Sequence, residues 1–230
     1  MQNKGKLIII DGSDGTGKAT QTTMLVARLR REGHHVKMMD FPRYGKKSAS
    51  LVEEYLNGKF GTAKEVGPYR SSIFFAVDRY AASPTIRRAL DHSRIVIANR
   101  YVTSSMAHRG GEIQNVRDRR QFFRWLDDLE FGIFGIPRPD LTIVLHVPAH
   151  IAQTLIDQKT SRAYIHGKKR DIHEADLRHL KAATETYRDI VRTFTKIKSV
   201  ECVDRGRLLT PAEVHARIWE IVRMQLKATW

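Results

Sequence analysis

Lys18 ends the run Gly12-Ser13-Asp14-Gly15-Thr16-Gly17-Lys18, in which glycine, four residues, glycine and lysine follow in order. The apolar run Leu7-Ile8-Ile9-Ile10 stands before it and helix-forming sequence after it. In such a turn glycines let backbone N–H groups converge on an anion, the following helix adds the positive end of its dipole, and Lys18 adds a full charge. The expected ligand is a nucleoside triphosphate, with Ser13, Asp14, Gly15, Thr16, Gly17, Lys18, Ala19 and Thr20 around its phosphates. Ala19 departs from the pattern, since a hydroxyl at that place normally reaches magnesium. Metal is then expected on other groups, Thr20 or an acidic neighbour such as Asp11 or Asp14.

Three further stretches carry cations near strand ends. In Asp40-Phe41-Pro42-Arg43, Pro42 ends an apolar run and sets Arg43 at its carboxyl end, where a phosphate would bind. Phe75 and Arg79 stand four apart in a helical stretch, so an aromatic plane and a guanidinium share one face and could grip a base. The plainer alternative is a core Phe75 and a solvated Arg79. Asn99-Arg100-Tyr101 closes another apolar run and leads into Thr103-Ser104-Ser105 and His108-Arg109. Arg100 there could bind an acceptor phosphate and stabilise charge on the transferring oxygens, the plainer alternative for a lone arginine at a strand end being a surface ion pair.

Elements that position these groups are legible from apolar runs without alternation: Leu7–Ile10, Val36–Met39, Ile95–Ala98 and Leu141–Leu145, with a weaker fifth at Val200–Val203. Helical stretches separate them, so the expected fold class is α/β, a three-layer sandwich with a parallel sheet between helices. Ligands then bind beyond the carboxyl ends of the strands. Asp171-Ile172-His173-Glu174 and Thr210-Pro211-Ala212-Glu213 read as capping boxes that start two late helices. Leu177, Leu180, Tyr187, Val191 and Phe194 form a core-facing stripe on the first of them. Between about 158 and 171, Lys159, Arg162, Lys168, Lys169 and Arg170 surround the turn Tyr164-Ile165-His166-Gly167, which reads as a mobile basic lid.

The chain has 230 residues, with 40 Lys+Arg against 25 Asp+Glu and a formal charge of +15. That balance suits an anionic ligand, nucleotide phosphate or nucleic-acid backbone, without choosing between them. Without a linker, repeat or low-complexity tract, residues 1–230 read as a single domain. A single cysteine, Cys202, excludes an internal disulfide and a cysteine-based zinc site. No N-terminal apolar segment resembles a signal peptide or membrane span, so a cytoplasmic protein is expected.

Taken together these motifs resemble the thymidylate kinases, nearly end to end. The matching stretches are Asp11 to Lys18, Phe41-Pro42-Arg43, Phe75 to Arg79, Arg100-Tyr101 with Ser104, Ile136-Pro137-Arg138-Pro139-Asp140, and the lid running into Asp171 and Glu174. The resemblance implies a phosphate-loop NTPase-type fold with a five-stranded parallel sheet, ATP as donor, Mg2+, dTMP as acceptor, and a homodimer. It implies that Asp14 reaches the acceptor sugar hydroxyl, that Arg43 and Arg100 bind its phosphate, that Phe75 stacks on thymine and that Arg79 donates to its O4. It also implies Tyr164 on the acceptor sugar, Arg205 beside adenine, and a catalytic cation from the lid, for which Arg162 is the choice. Asn99 stands where the family typically has Asp.

Competing functions fit less well. A nucleoside kinase phosphorylates a hydroxyl and benefits from a general base, which Asn99 cannot be. A kinase for a related deoxynucleoside monophosphate differs only in base choice. A nucleic-acid-dependent ATPase wants a carboxylate closing an apolar strand, whereas Ile95–Ala98 runs into Asn99 and Leu141–Leu145 into His146. A catalytically weakened nucleotide-binding homologue is suggested by Ala19 together with Asn99. Neither nucleic acid nor membrane is expected as a partner.

Overall fold

The computed structural model describes residues 5–157 and 177–227. Strands β1 (Leu7–Gly12), β2 (Val36–Asp40), β3 (Ile95–Asn99), β4 (Leu141–His146) and β5 (Ile197–Glu201) form one parallel sheet in the order β2-β3-β1-β4-β5. β1, β3 and β4 are buried along their whole length because helices cover both faces, which is why their sequences are mostly apolar, with polar residues at Thr142 and at the strand ends. β5 starts at Ile197, three residues before the expected strand. At the sheet edge only Ile197 and Val200 turn inward, so Lys198, Ser199 and Glu201 interrupt the run. Val203 belongs instead to a small hairpin of β6 (Val203–Asp204) and β7 (Arg207–Leu208).

Alternate residues of β1 serve opposite faces of the sheet. Ile8 and Ile10 join Leu25 and Leu29 of α1 (Lys18–Arg31) and Ile218 and Val222 of α8 (Pro211–Lys227). Leu7 and Ile9 join the other cluster, with Ile86 of α3 (Ala63–Asp91), Met106 of α4 (Val102–Gly110), Phe122 of α5 (Val116–Asp127) and Tyr187 of α7 (Leu177–Thr193). Each such side chain contributes about 1.5–3 kcal/mol on burial, so truncating fully buried Ile10 to Ala should cost about 2–5 kcal/mol. α2 (Ser50–Leu56) packs Tyr55 and Val52 against Val66 in a third, smaller cluster.

The cap at Thr210 is as read: Thr210 N–H donates to Glu213 at 2.7 Å, and Glu213 N–H returns to Thr210 Oγ1 at 3.3 Å. The cap at Asp171 lies outside the described residues. On α7, Leu180 and Tyr187 are buried, but Leu177, the first residue of the helix, is 41% exposed. A wide π turn, Asp128–Ile133, follows α5 and carries buried Glu130 toward α3. Among the described residues, no helix is long and apolar enough to cross a membrane.

Candidate active site

A cavity of about 800 Å³ opens at the carboxyl ends of β1, β2 and β3. Ligands of open α/β sheets bind at such an end, and the volume lies at the upper end of ordinary ligand pockets. The glycine-lysine loop forms one wall, from Asp14 to Gln21. Gly17 caps α1 with φ of 84°, and a Cβ built there would meet nothing within 4 Å, so its backbone faces open space at the helix N-terminus. Gly15 is the opposite case. A Cβ there would stand 2.3 Å from the carbonyl oxygen of Ala152 on α6 (Ala149–Asp157), so only glycine lets loop and helix meet.

Lys18 Nζ crosses the loop to donate to the Ser13 carbonyl at 2.8 Å and stands 3.8 Å from Asp14. Arg100 reaches the same Asp14 from β3's end and also contacts Ser104 Oγ at 3.4 Å and His108 Nε2 at 3.2 Å. Asp14 thus bridges Lys18 and Arg100. Arg100 takes a left-handed backbone, φ of 64°, a strained conformation of the kind found where function fixes a side chain. Burial holds the His108 imidazole well below its usual pKa, so it is neutral beside this cation at physiological pH.

Asp11, one of the carboxylates considered for metal, is filled. It is wholly buried and accepts from Gly12 N–H, Thr103 Oγ1, Ser104 Oγ and Tyr187 OH. Its chemistry is that of a tether joining β1, α4 and α7 beneath the loop. Thr184 of α7 adds a contact to Ser13 Oγ at 3.2 Å.

Phe75, Arg79, Ser104, Ser105 and Arg109, on the side expected to take the acceptor, also line the cavity. Phe75 is half-buried, packs edge-on to Tyr55, and lies under the Arg109 guanidinium at 5.5 Å. Arg109, named in the sequence only as part of the stretch after the third strand, is held by Tyr55 OH at 2.8 Å and Glu112 at 3.0 Å, and Tyr55, 54 residues away, is the partner the sequence does not show. Arg79 is not solvated: it is 2% exposed, clamped by Glu130 and bonded to Ser105 Oγ at 2.9 Å. Arg43 is held to Asp78 at 3.0 Å and to Ser48 at 2.8 Å, and Asp78 rather than Arg43 lines the cavity. As an acceptor-phosphate ligand it would have to exchange these partners.

On the other side Cys202, Leu208, Leu209, Pro211 and Val214 give an apolar wall beside Gln21, which donates to the Pro211 carbonyl at 2.9 Å. Arg205 sits exposed at the tip of the β6–β7 hairpin with φ of 47°, so the wall near it is built by Leu208 and Leu209 instead. Arg162 and Tyr164 lie outside the described residues. Asp40 and Asn99 close β2 and β3 side by side, with Asn99 Nδ2 donating to Asp40 Oδ1 at 2.7 Å. Partial desolvation of the Asp40 carboxyl, on a residue that is exposed as a whole, raises its pKa above the ordinary value, against the pull of Asn99, Arg100 and Lys18.

Among the described residues, no group of three or more His, Cys, Asp or Glu could hold a metal ion. Magnesium needs only one or two carboxylates, with waters and phosphates completing an octahedron, so the oxygen donors beside Lys18 suit it. The buried Asn99 Oδ1 has no hydrogen-bond partner and is an acceptor of the right kind.

A family model described as thymidylate kinase matches residues 10–204. Thymidylate kinase of Mycobacterium tuberculosis (strain ATCC 25618 / H37Rv) is 33% identical over 172 residues, covering 74% of this chain and 78% of that protein. Thymidylate kinase of Homo sapiens is 28% identical over 144 residues, 63% of this chain and 62% of that one. In structure, thymidylate kinase from Candida albicans superposes with a TM-score of 0.73 at 22% identity, covering 96% of this chain and 92% of that one.

Proposed function

The chain belongs to the thymidylate kinase family of ATP-dependent phosphotransferases, and we propose that it transfers the γ-phosphoryl group of ATP to dTMP, giving ADP and dTDP for dTTP synthesis. One observation carries this beyond family membership. Lys18 of the donor loop and Arg100 of the acceptor side meet on the same carboxylate, Asp14, so a donor and an acceptor phosphate bound to them would face each other.

A monophosphate acceptor is already anionic and needs positioning and charge neutralisation rather than a base. Arg100 binds the acceptor phosphate, and Lys18 with the loop amides neutralises the donor phosphates. Asp14, displaced from its two cations by phosphates, turns to the acceptor sugar. Phe75 stacks on the base, and Arg79, its orientation fixed by Glu130, donates to thymine O4. Mg2+, when bound, would supply the remaining charge neutralisation. From the lid we assign Arg162 to the transferring group and Tyr164 to the acceptor sugar. We further take the protein to be a single kinase domain and a cytoplasmic homodimer, as the family resemblance suggests.

The test is a coupled ADP-release assay with ATP, Mg2+ and no DNA. ADP should appear when dTMP is added and not when thymidine is, and dTDP should be recovered in equal amount. Thymidine-dependent ADP release would indicate a nucleoside kinase, and ATP bound without turnover a silent homologue.

A further inference from the structure

Asp40 and Asn99 occupy the last paired positions of β2 and β3. The 2.7 Å bond from Asn99 Nδ2 to Asp40 Oδ1 fixes which way the amide points. It leaves Asn99 Oδ1 buried without a partner, on a residue only 8% exposed. A buried acceptor with nothing to accept is costly in a folded chain, and native structures seldom keep one without an occupant. Both residues line the cavity beside Lys18 and Arg100.

The neighbouring carboxylates are engaged elsewhere. Asp11 is filled by four donors, Asp14 bridges Lys18 and Arg100, and Asp78 holds Arg43 and Ser48. Asp40 is thus the cavity carboxylate whose contacts are lightest: its hydrogen-bond partner is the Asn99 amide, while the Phe41 N–H goes to the Asn99 backbone carbonyl.

We infer that Asp40 and Asn99 together form the protein side of a magnesium site, Asp40 supplying the negative oxygen and Asn99 Oδ1 a neutral one, directly or through bound water. Such a pair of hard oxygen donors leaves the rest of the octahedron to water and nucleotide phosphates, as this ion prefers. The neutral residue at 99 is then no loss. The carboxylate stands on the neighbouring strand, β2, and the amide of Asn99 is bonded to it at the cavity edge. This rests on the phosphoryl-transfer reading, because the phosphates complete the site.

Mn2+ in place of Mg2+ tests it without turnover, through water-proton relaxation in the presence of a non-hydrolysable ATP analogue and dTMP. The wild-type protein should bind Mn2+ in this complex. Asp40→Asn should weaken that binding by about 10-fold or more, the usual size for a lost metal-supporting group. The exchanged variant, Asp40→Asn with Asn99→Asp, keeps an amide against a carboxylate and should recover most of the affinity. Unchanged Mn2+ affinity in Asp40→Asn overturns the site, as does failure of the exchanged variant to regain it. A wild-type protein that binds the analogue but gathers no Mn2+ overturns the site alone. One that binds neither analogue nor Mn2+ overturns the kinase reading beneath it.

Discussion

Arg79 and Glu130 meet through two hydrogen bonds of 2.6 Å, in surroundings that leave 3% of one side chain and none of the other exposed. A bidentate pair this deep fixes the guanidinium plane, which a base-reading donor requires. Removing one member leaves a buried charge without its counterion. Arg79→Leu should therefore cost about 3–5 kcal/mol in denaturant unfolding, while Arg79→Leu with Glu130→Leu recovers most of that stability. Thymine preference should not recover: the dTMP to dCMP ratio of kcat/KM falls by about 10-fold or more in both variants. A double variant that discriminates like the wild type removes Arg79 from base recognition.

His108 makes a second prediction, in pH. It is buried against Arg100 and His179 at 3.2 and 3.3 Å, with Arg109, Asp14 and Tyr187 also facing it. Burial first, then the neighbouring cations, lower its folded pKa, with Asp14 opposing. A lowered folded pKa means the unfolded chain takes up the proton first on acidification. Its contribution to stability is therefore complete above the unfolded value of about 6.5 and declines as pH falls toward the folded one. The thermal midpoint should drop between about pH 7.5 and pH 5.5, and His108→Asn should drop less over the same interval. Parallel pH profiles for the two proteins would contradict this.

The loop glycines differ in what they protect. Gly15→Ala adds a clash with Ala152 to the strain of φ 82°, whereas Gly17→Ala adds only strain. The first should cost about 2–6 kcal/mol and the second about 1–3 kcal/mol. Calorimetric unfolding of both variants checks the order. Equal losses would mean that α6 yields to Gly15 without resistance.

The central strands were legible because both of their faces are covered, so β1, β3 and β4 are mostly apolar in sequence. The loop was legible because its chemistry is local: seven consecutive residues fold back on themselves. What was hidden depends on partners distant in sequence. Nothing near Arg79 announces Glu130, 51 residues on, and a lone arginine on a helix reads as solvated. Asp11 looked available for metal because its four donors come partly from Thr103, Ser104 and Tyr187, which only the fold brings to it. Arg43 looked directed at the ligand for the same reason, since Asp78 claims it across 35 positions.

In the proposed reaction the loop and Arg100 bring one donor phosphate to one acceptor phosphate. The most direct measurement follows γ-labelled phosphate from ATP in a single turnover with excess enzyme and dTMP. The label should appear in dTDP as fast as ADP forms, and Lys18→Ala should lose this transfer by about 2.7 kcal/mol or more, roughly a hundredfold, while unfolding at nearly the wild-type temperature. Label released as free phosphate, or a Lys18→Ala protein that transfers it at the wild-type rate, would rule out transfer between phosphates held by Lys18 and Arg100.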